Sequence, residues 1–125
     1  MLEIQEVSGT EGYESVIARA GGADIHITEA LDKGRAIGFI AYAYGTEQTT
    51  VYACDDGGDL MLCDGLVRSV MLKSALKGIE RMEFALTDDA AYTQLRRLRF
   101  LTEDSRVCED LSSFMNGCES CKHNS

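Results

Sequence analysis

Proline and tryptophan are both absent from the 125 residues, histidine occurs twice, and 12 basic residues stand against 21 acidic ones. Without proline, the breaks between elements have to come from glycine, capping side chains and changes in apolar period. With a net charge of −9, the chain repels a phosphate backbone unless its cations are gathered on one face. They are gathered only in part: residues 1–67 carry −9, residues 68–99 carry +3 and residues 100–125 carry −3. The basic stretch suits one small anion better than a duplex, and no helix-turn-helix, zinc-finger or RNP-like pattern accompanies it, so no nucleic-acid partner is expected. Long apolar runs are also missing, since none approaches the roughly 18 residues of a membrane-spanning helix. The start, MLEIQEVSGTEG, has glutamates where a secretory signal has lysines and an apolar stretch. The expectation is a soluble, cytoplasmic protein with no membrane partner.

What is there is 45% hydrophobic and 26% charged, the balance of a single globular domain spanning residues 1–125. Its five cysteines, Cys54, Cys63, Cys108, Cys118 and Cys121, are an odd number with no secretory signal, which predicts thiols rather than a disulfide framework. Thr10 can cap a helix to Ala20 that buries Tyr13, Val16 and Ile17, and Gly21-Gly22 ends it. Ile25 and Ile27 alternate with polar neighbours up to Leu31, Asp32-Lys33-Gly34-Arg35 reads as a turn, and AIGFIAYAY (36–44) reads as a strand covered on both faces. TTVYAC (49–54) is a third strand, and Asp55-Asp56-Gly57-Gly58-Asp59 is the most turn-like stretch.

Asp59 or Asp64 can cap a long helix, whose wet positions Ser69, Lys73 and Lys77 recur every four residues and which stops at Gly78. Met82, Phe84 and Leu86 alternate in a strand, completing a β-α-β unit. Thr87 can cap a last long helix, with Asp88 and Asp89 in its first turn and Arg96 and Arg97 in its last, as the helix dipole favours. Beyond it the reading expects a strand near Phe100 to Thr102, a short amphipathic helix from Glu109 to Met115 that docks through Leu111 and Phe114, and an exposed tail.

The order strand, acidic-glycine loop, apolar helix, Gly-Ile, alternating strand and acid-capped helix resembles the conserved half of the GCN5-related N-acetyltransferase family. The resemblance runs over about residues 36–102 and is closest in LMLCDGLVRSVMLKSALKGIERMEFALTDDAAYTQLRRLRF, where Ala91, Leu95 and Phe100 keep the family's spacing. It implies an α+β fold with a mixed, mostly antiparallel sheet flanked by helices, in which residues 1–35 are a divergent, abbreviated N-terminal part and residues 103–125 an acidic tail. It also implies acetyl-CoA or another acyl-CoA as cofactor, and transfer of the acyl group to a small-molecule amine. By the resemblance, Val51, Ala53 and Cys54 would hold the pantetheine in a splay beside the third strand, and the helix start near Asp64, Gly65 and Arg68 would meet the pyrophosphate. No catalytic residue is assigned; a glutamate or histidine from the N-terminal half would deprotonate the amine.

The residues depart from the family at the positions that make its chemistry. The family loop reads Gln/Arg-x-x-Gly-x-Gly/Ala, whereas here the glycines are differently spaced and carboxylates stand among them. The tyrosine that often protonates the leaving thiolate is replaced by Leu95, and the glycine before the aromatic by Arg99. Arg68 is open to two roles, a phosphate contact or the i,i+4 partner of Asp64. Arg96, Arg97 and Arg99 are either a solvated helix end or a contact to the coenzyme's nucleotide phosphate. His26 lies on the opposite face of its strand from Ile25 and Ile27, with no acid identifiable beside it. Cys54 and Cys63 read most simply as small buried apolar groups. Cys118, Cys121 and His123 have the spacing of zinc ligands but lack a fourth donor nearby.

Three functions therefore stay open: an acyl-CoA-dependent N-acyltransferase; a catalytically inactive binding or assembly module, expected to be a homo-oligomer; and a sensor built on the C-terminal CxxC.

Overall fold

The computed structural model describes residues 2–7 and 11–113, excluding the Leu2 side chain. Six strands form one sheet in sequence order: β1 (Leu2–Val7), β2 (His26–Asp32), β3 (Arg35–Tyr44), β4 (Thr49–Asp55), β5 (Arg81–Phe84) and β6 (Val107–Glu109). Every neighbouring pair is antiparallel except β4 and β5, which run parallel. A parallel pair needs a crossover, and α2 (Leu60–Leu76) supplies it.

Helix α1 (Glu14–Arg19) precedes β2, and α3 (Asp89–Arg97) follows β5. The alternation of β3 sorts its side chains between two cores. Ile40 and Tyr42 join α2 and α3 on one face, while Ala41 and Ala43 join α1 on the other. From Gly38 on the strand is thus covered on both sides, as its near-continuous apolar run predicted, whereas Ala36 and Ile37 at its start are exposed.

The long helix starts at Leu60, because the Asp59 carboxylate accepts from the Met61 and Leu62 N–H groups; Asp64 is already inside it. The stripe expected to be wet is so only at Lys77: Ser69 and Lys73 are half-buried, Lys73 bonding Glu6, Thr28 and Tyr42, while Met61, Leu72 and Leu76 are exposed. Ser74 is fully buried and hydrogen-bonds Thr49 of β4 at 2.6 Å. At the other end of the helix the sheet and α2 nearly touch. A Cβ on Gly38 of β3 would meet the Asp55 carbonyl at 2.6 Å and Leu62 at 3.0 Å, so only glycine lets the end of β4 and the start of α2 come this near.

Further sequence expectations shift, among them the start of the last helix, since Glu109 closes β6 instead. MLEIQEV, notable in the sequence only for lacking a secretory signal, contains strand β1. Helix α1 begins after Tyr13, which makes no side-chain cap, and Thr10 lies outside the described residues. Asp88, rather than Thr87, caps α3 by accepting from the Ala90 N–H. No strand forms at Phe100 to Thr102, because Arg99 takes a left-handed conformation (φ 66°) and the Phe100 N–H closes back on the Leu95 carbonyl. Phe100 and Leu101 turn into the core instead, and the sixth strand forms at Val107–Glu109.

Residues 111–113 then begin a helical turn, with Leu111 fully buried; Phe114 lies outside the described residues. Among the described residues no helix is long and apolar enough to cross a membrane.

Candidate functional site

The site follows from one irregularity in β4. Opposite β3, Ala41 pairs with Ala53 but Tyr42 pairs with Val51, so Tyr52 is an extra residue that bulges the strand. Opposite β5, pairing stops at Val51 and Phe84, and the last bond is from the Ala85 N–H to the Val51 carbonyl at 2.8 Å. From there β4 continues to Asp55 while the chain after Ala85 leaves for α3. The two strands part, and a cleft of about 800 Å³ opens between them. Ala53, Cys54 and Asp55 line one wall, Leu86, Thr87 and Ala91 the other, and Phe39 contributes from β3.

Two helix beginnings border this cleft, through Gly57-Gly58 before α2 and Asp88 before α3. Helix N-termini favour anions, but here the donors are already taken. The Gly57 N–H donates to the Asp55 carboxylate at 3.0 Å and the Gly58 N–H to Asp56 at 2.8 Å. Both glycines have positive φ, 61° and 82°, as this turn requires. With Asp59 and Asp88 capping the two helices, the loop carries its own negative charge where a pyrophosphate cradle would leave free N–H groups.

Arg19, at the end of α1, stands where the strands separate. Its guanidinium donates to the Tyr52 carbonyl of β4 and to the Ala85 carbonyl at 3.2 Å, spanning the gap. On the same face Tyr13 packs on Phe39, with ring centroids 4.7 Å apart, and donates to Glu29 at 2.5 Å. Burial and the Glu29 carboxylate push the Tyr13 phenol up to about 12. Glu29, Phe39 and Asp55 are register partners across β2, β3 and β4, so two carboxylates flank an aromatic ring in one row ending at the cleft.

Of the residues singled out in the sequence, Ala53 and Cys54 line the cleft. Val51 is fully buried among the core residues around α2 and is the last β4 residue paired with β5. Asp64, Gly65 and Arg68 lie in the second and third turns of α2 and do not line the cleft. Arg68 donates to Asp64 at 2.9 Å and lies over the Phe100 ring at 5.3 Å, taking the ion-pair role. Leu95 is buried, the phenol that α3 does offer, on Tyr92, is spent on the Phe84 carbonyl (2.7 Å) and the Leu86 N–H (2.9 Å), and the Thr93 hydroxyl donates to the Asp89 carbonyl at 3.1 Å.

His26, for which the sequence showed no acid, has two: Glu6 of β1, 2.9 Å from its Nδ1, and the exposed Asp24, 3.8 Å from its Nε2. His26 and Glu6 belong to a cluster with Thr28, Tyr42 and Lys73 on the α2 face, apart from the cleft lining. No metal-capable group of three or more His, Cys, Asp or Glu occurs among the described residues, and Cys118, Cys121 and His123 lie outside them. Arg19, Tyr13 and Glu29 were missed by the sequence reading.

No protein-family model matches this chain, and no curated protein matches it in sequence. Solved structures do. The ribosomal-protein-S18-alanine N-acetyltransferase from Escherichia coli superposes with a TM-score of 0.62 at 14% identity, over 88% of this chain and 94% of that one. The structure of the KacTA–DNA complex superposes with a TM-score of 0.61 at 16% identity, over 96% and 99% of the two chains. The latter is a complex with DNA, a partner class that the net charge of this chain led us not to expect. In its element order, its single parallel strand pair and these superpositions, the chain has the α+β fold of the GCN5-related N-acetyltransferases.

Proposed function

We propose that the cleft takes the acyl-pantetheine arm of acetyl-CoA or another acyl-CoA and presents its thioester to a small-molecule amine. The parting of β4 from β5 after Val51 is the observation that carries this reading. A strand edge released from its neighbour has N–H and C=O groups to offer, and an extended chain of amides such as pantetheine can pair with them as an added strand would. Transfer then consists of attack by the amine nitrogen on the thioester carbon, departure of the CoA thiolate and loss of a proton from nitrogen. The Glu29–Phe39–Asp55 row supplies negative charge for an incoming ammonium and a base for its proton. His26 is on the other face of the sheet, so the proton-accepting role falls to a carboxylate. Catalysis rests mainly on positioning.

A second reading is favoured by the self-occupied loop. Asp55 and Asp56 satisfy the N–H groups of Gly57 and Gly58, and like charge opposes a diphosphate, so the scaffold serves as a binding module without transfer. Calorimetry with acetyl-CoA and with acetyl-pantetheine at millimolar concentration separates the two. Acyltransfer predicts heat from both ligands and little further affinity from the diphosphate. Heat from neither removes the first reading and leaves the second.

A further inference from the structure

Cys54 and Cys63 are nine residues apart and belong to different elements, the end of β4 and the first turn of α2. The fold brings their side chains together. Cys54 packs against the core cluster that contains Cys63, and the Cys63 thiol is near enough to raise the Cys54 thiol. Both are free thiols. Their access differs: Cys63 is 1% exposed, whereas Cys54 lines the cleft. We propose that Cys54 and Cys63 are a dithiol modification site, oxidised to an intramolecular disulfide by a small disulfide entering through the cleft.

The asymmetry sets the order of events. The Cys54 thiolate attacks one sulfur of the incoming disulfide, forming a mixed disulfide and releasing one thiol. Cys63, beside Cys54 and screened from bulk solvent, then displaces the second thiol and closes the protein disulfide. Two protein thiols lose their hydrogens, and one small disulfide is reduced to two thiols. The bond ties the first turn of α2 to β4 across the Asp55-to-Asp59 loop, so oxidation fixes one wall of the cleft.

The surroundings also set the rate. The neighbouring Cys63 thiol, burial and the nearby Asp56 and Asp55 charges raise the Cys54 thiol well above its usual range, so little thiolate exists at neutral pH. The site is therefore slow and pH-dependent, with a rate rising about tenfold per pH unit through the neutral range.

The test incubates the full chain with oxidised glutathione across pH 7–9, quenches free thiols with an alkylating agent and maps the peptides by mass spectrometry. A dithiothreitol-reversible peptide pair linked through Cys54 and Cys63, accumulating faster at higher pH, is expected. Cys63→Ala should abolish the linked pair and leave glutathione on Cys54. Alkylated Cys54 and Cys63 at every pH would overturn the proposal, as would a stable glutathione adduct on Cys54 in the unsubstituted chain. The readout involves no acyl-CoA, so it stands or falls separately from the proposed function.

Discussion

The Tyr92 hydroxyl holds the point where β5 gives way to the cleft wall, by donating to the Phe84 carbonyl and accepting from the Leu86 N–H. Its removal strands both backbone groups in a buried place, and such groups cost about 1–3 kcal/mol when left unpaired. Tyr92→Phe should lower stability to urea by that amount. A change below about 0.3 kcal/mol would show that the hydroxyl has no structural role.

Glu6 behaves differently, because it titrates. The His26 hydrogen bond, aided by Lys73 and opposed by burial, holds its carboxyl below its usual value of 4.5. A lowered folded-state value contributes stability above about 4.5 that disappears as the pH falls through the lowered value. Glu6→Gln should therefore be less stable than the parent at pH 6, and the two curves should converge in acid; an offset constant down to pH 3 would contradict this. The partnerships of Glu6, Arg19 and Tyr13 are not legible in the sequence for one reason: the partners are 16 to 67 residues away. The Asp64–Arg68 pair, one helical turn apart, was open to view.

At the scale of elements, the loop between β4 and α2 decides how much of a coenzyme the cleft can hold. Asn in place of Asp55 and Asp56 keeps an oxygen for the Gly57 and Gly58 N–H groups while removing two negative charges. If the cleft takes an acyl-CoA, Asp55→Asn/Asp56→Asn should tighten acetyl-CoA about three- to tenfold and leave acetyl-pantetheine unchanged, as calorimetry would register. An unchanged or weakened acetyl-CoA affinity would place the diphosphate elsewhere.

The run from β4 to α3 was legible because each element there carries its own period and punctuation: alternating Met82 and Phe84, an aspartate cap and Gly78. β1 and β6 were not. β1 is an edge strand whose Ile4 remains 36% exposed, and β6 is three residues long. Neither needs a strong local signal, because each is held by the strand beside it.

Across the whole molecule, the β4–β5 pair places the cleft. It is the one parallel pair in the sheet, and its bonds cease halfway along β4, which turns a strand bulge at Tyr52 into an opening. The β-α-β order announced the parallel pair in the sequence. The depth of the opening and the guanidinium that spans it depend on α1 packing against the far face of the sheet, which no local pattern records. The most direct test is an amide chemical-shift titration with acetyl-CoA. Shifts concentrated at residues 52–58 and 85–91 are the predicted result. Shifts confined to the Glu6, His26 and Lys73 cluster, or none at millimolar ligand, would contradict the assignment of the cleft as the acyl-CoA site.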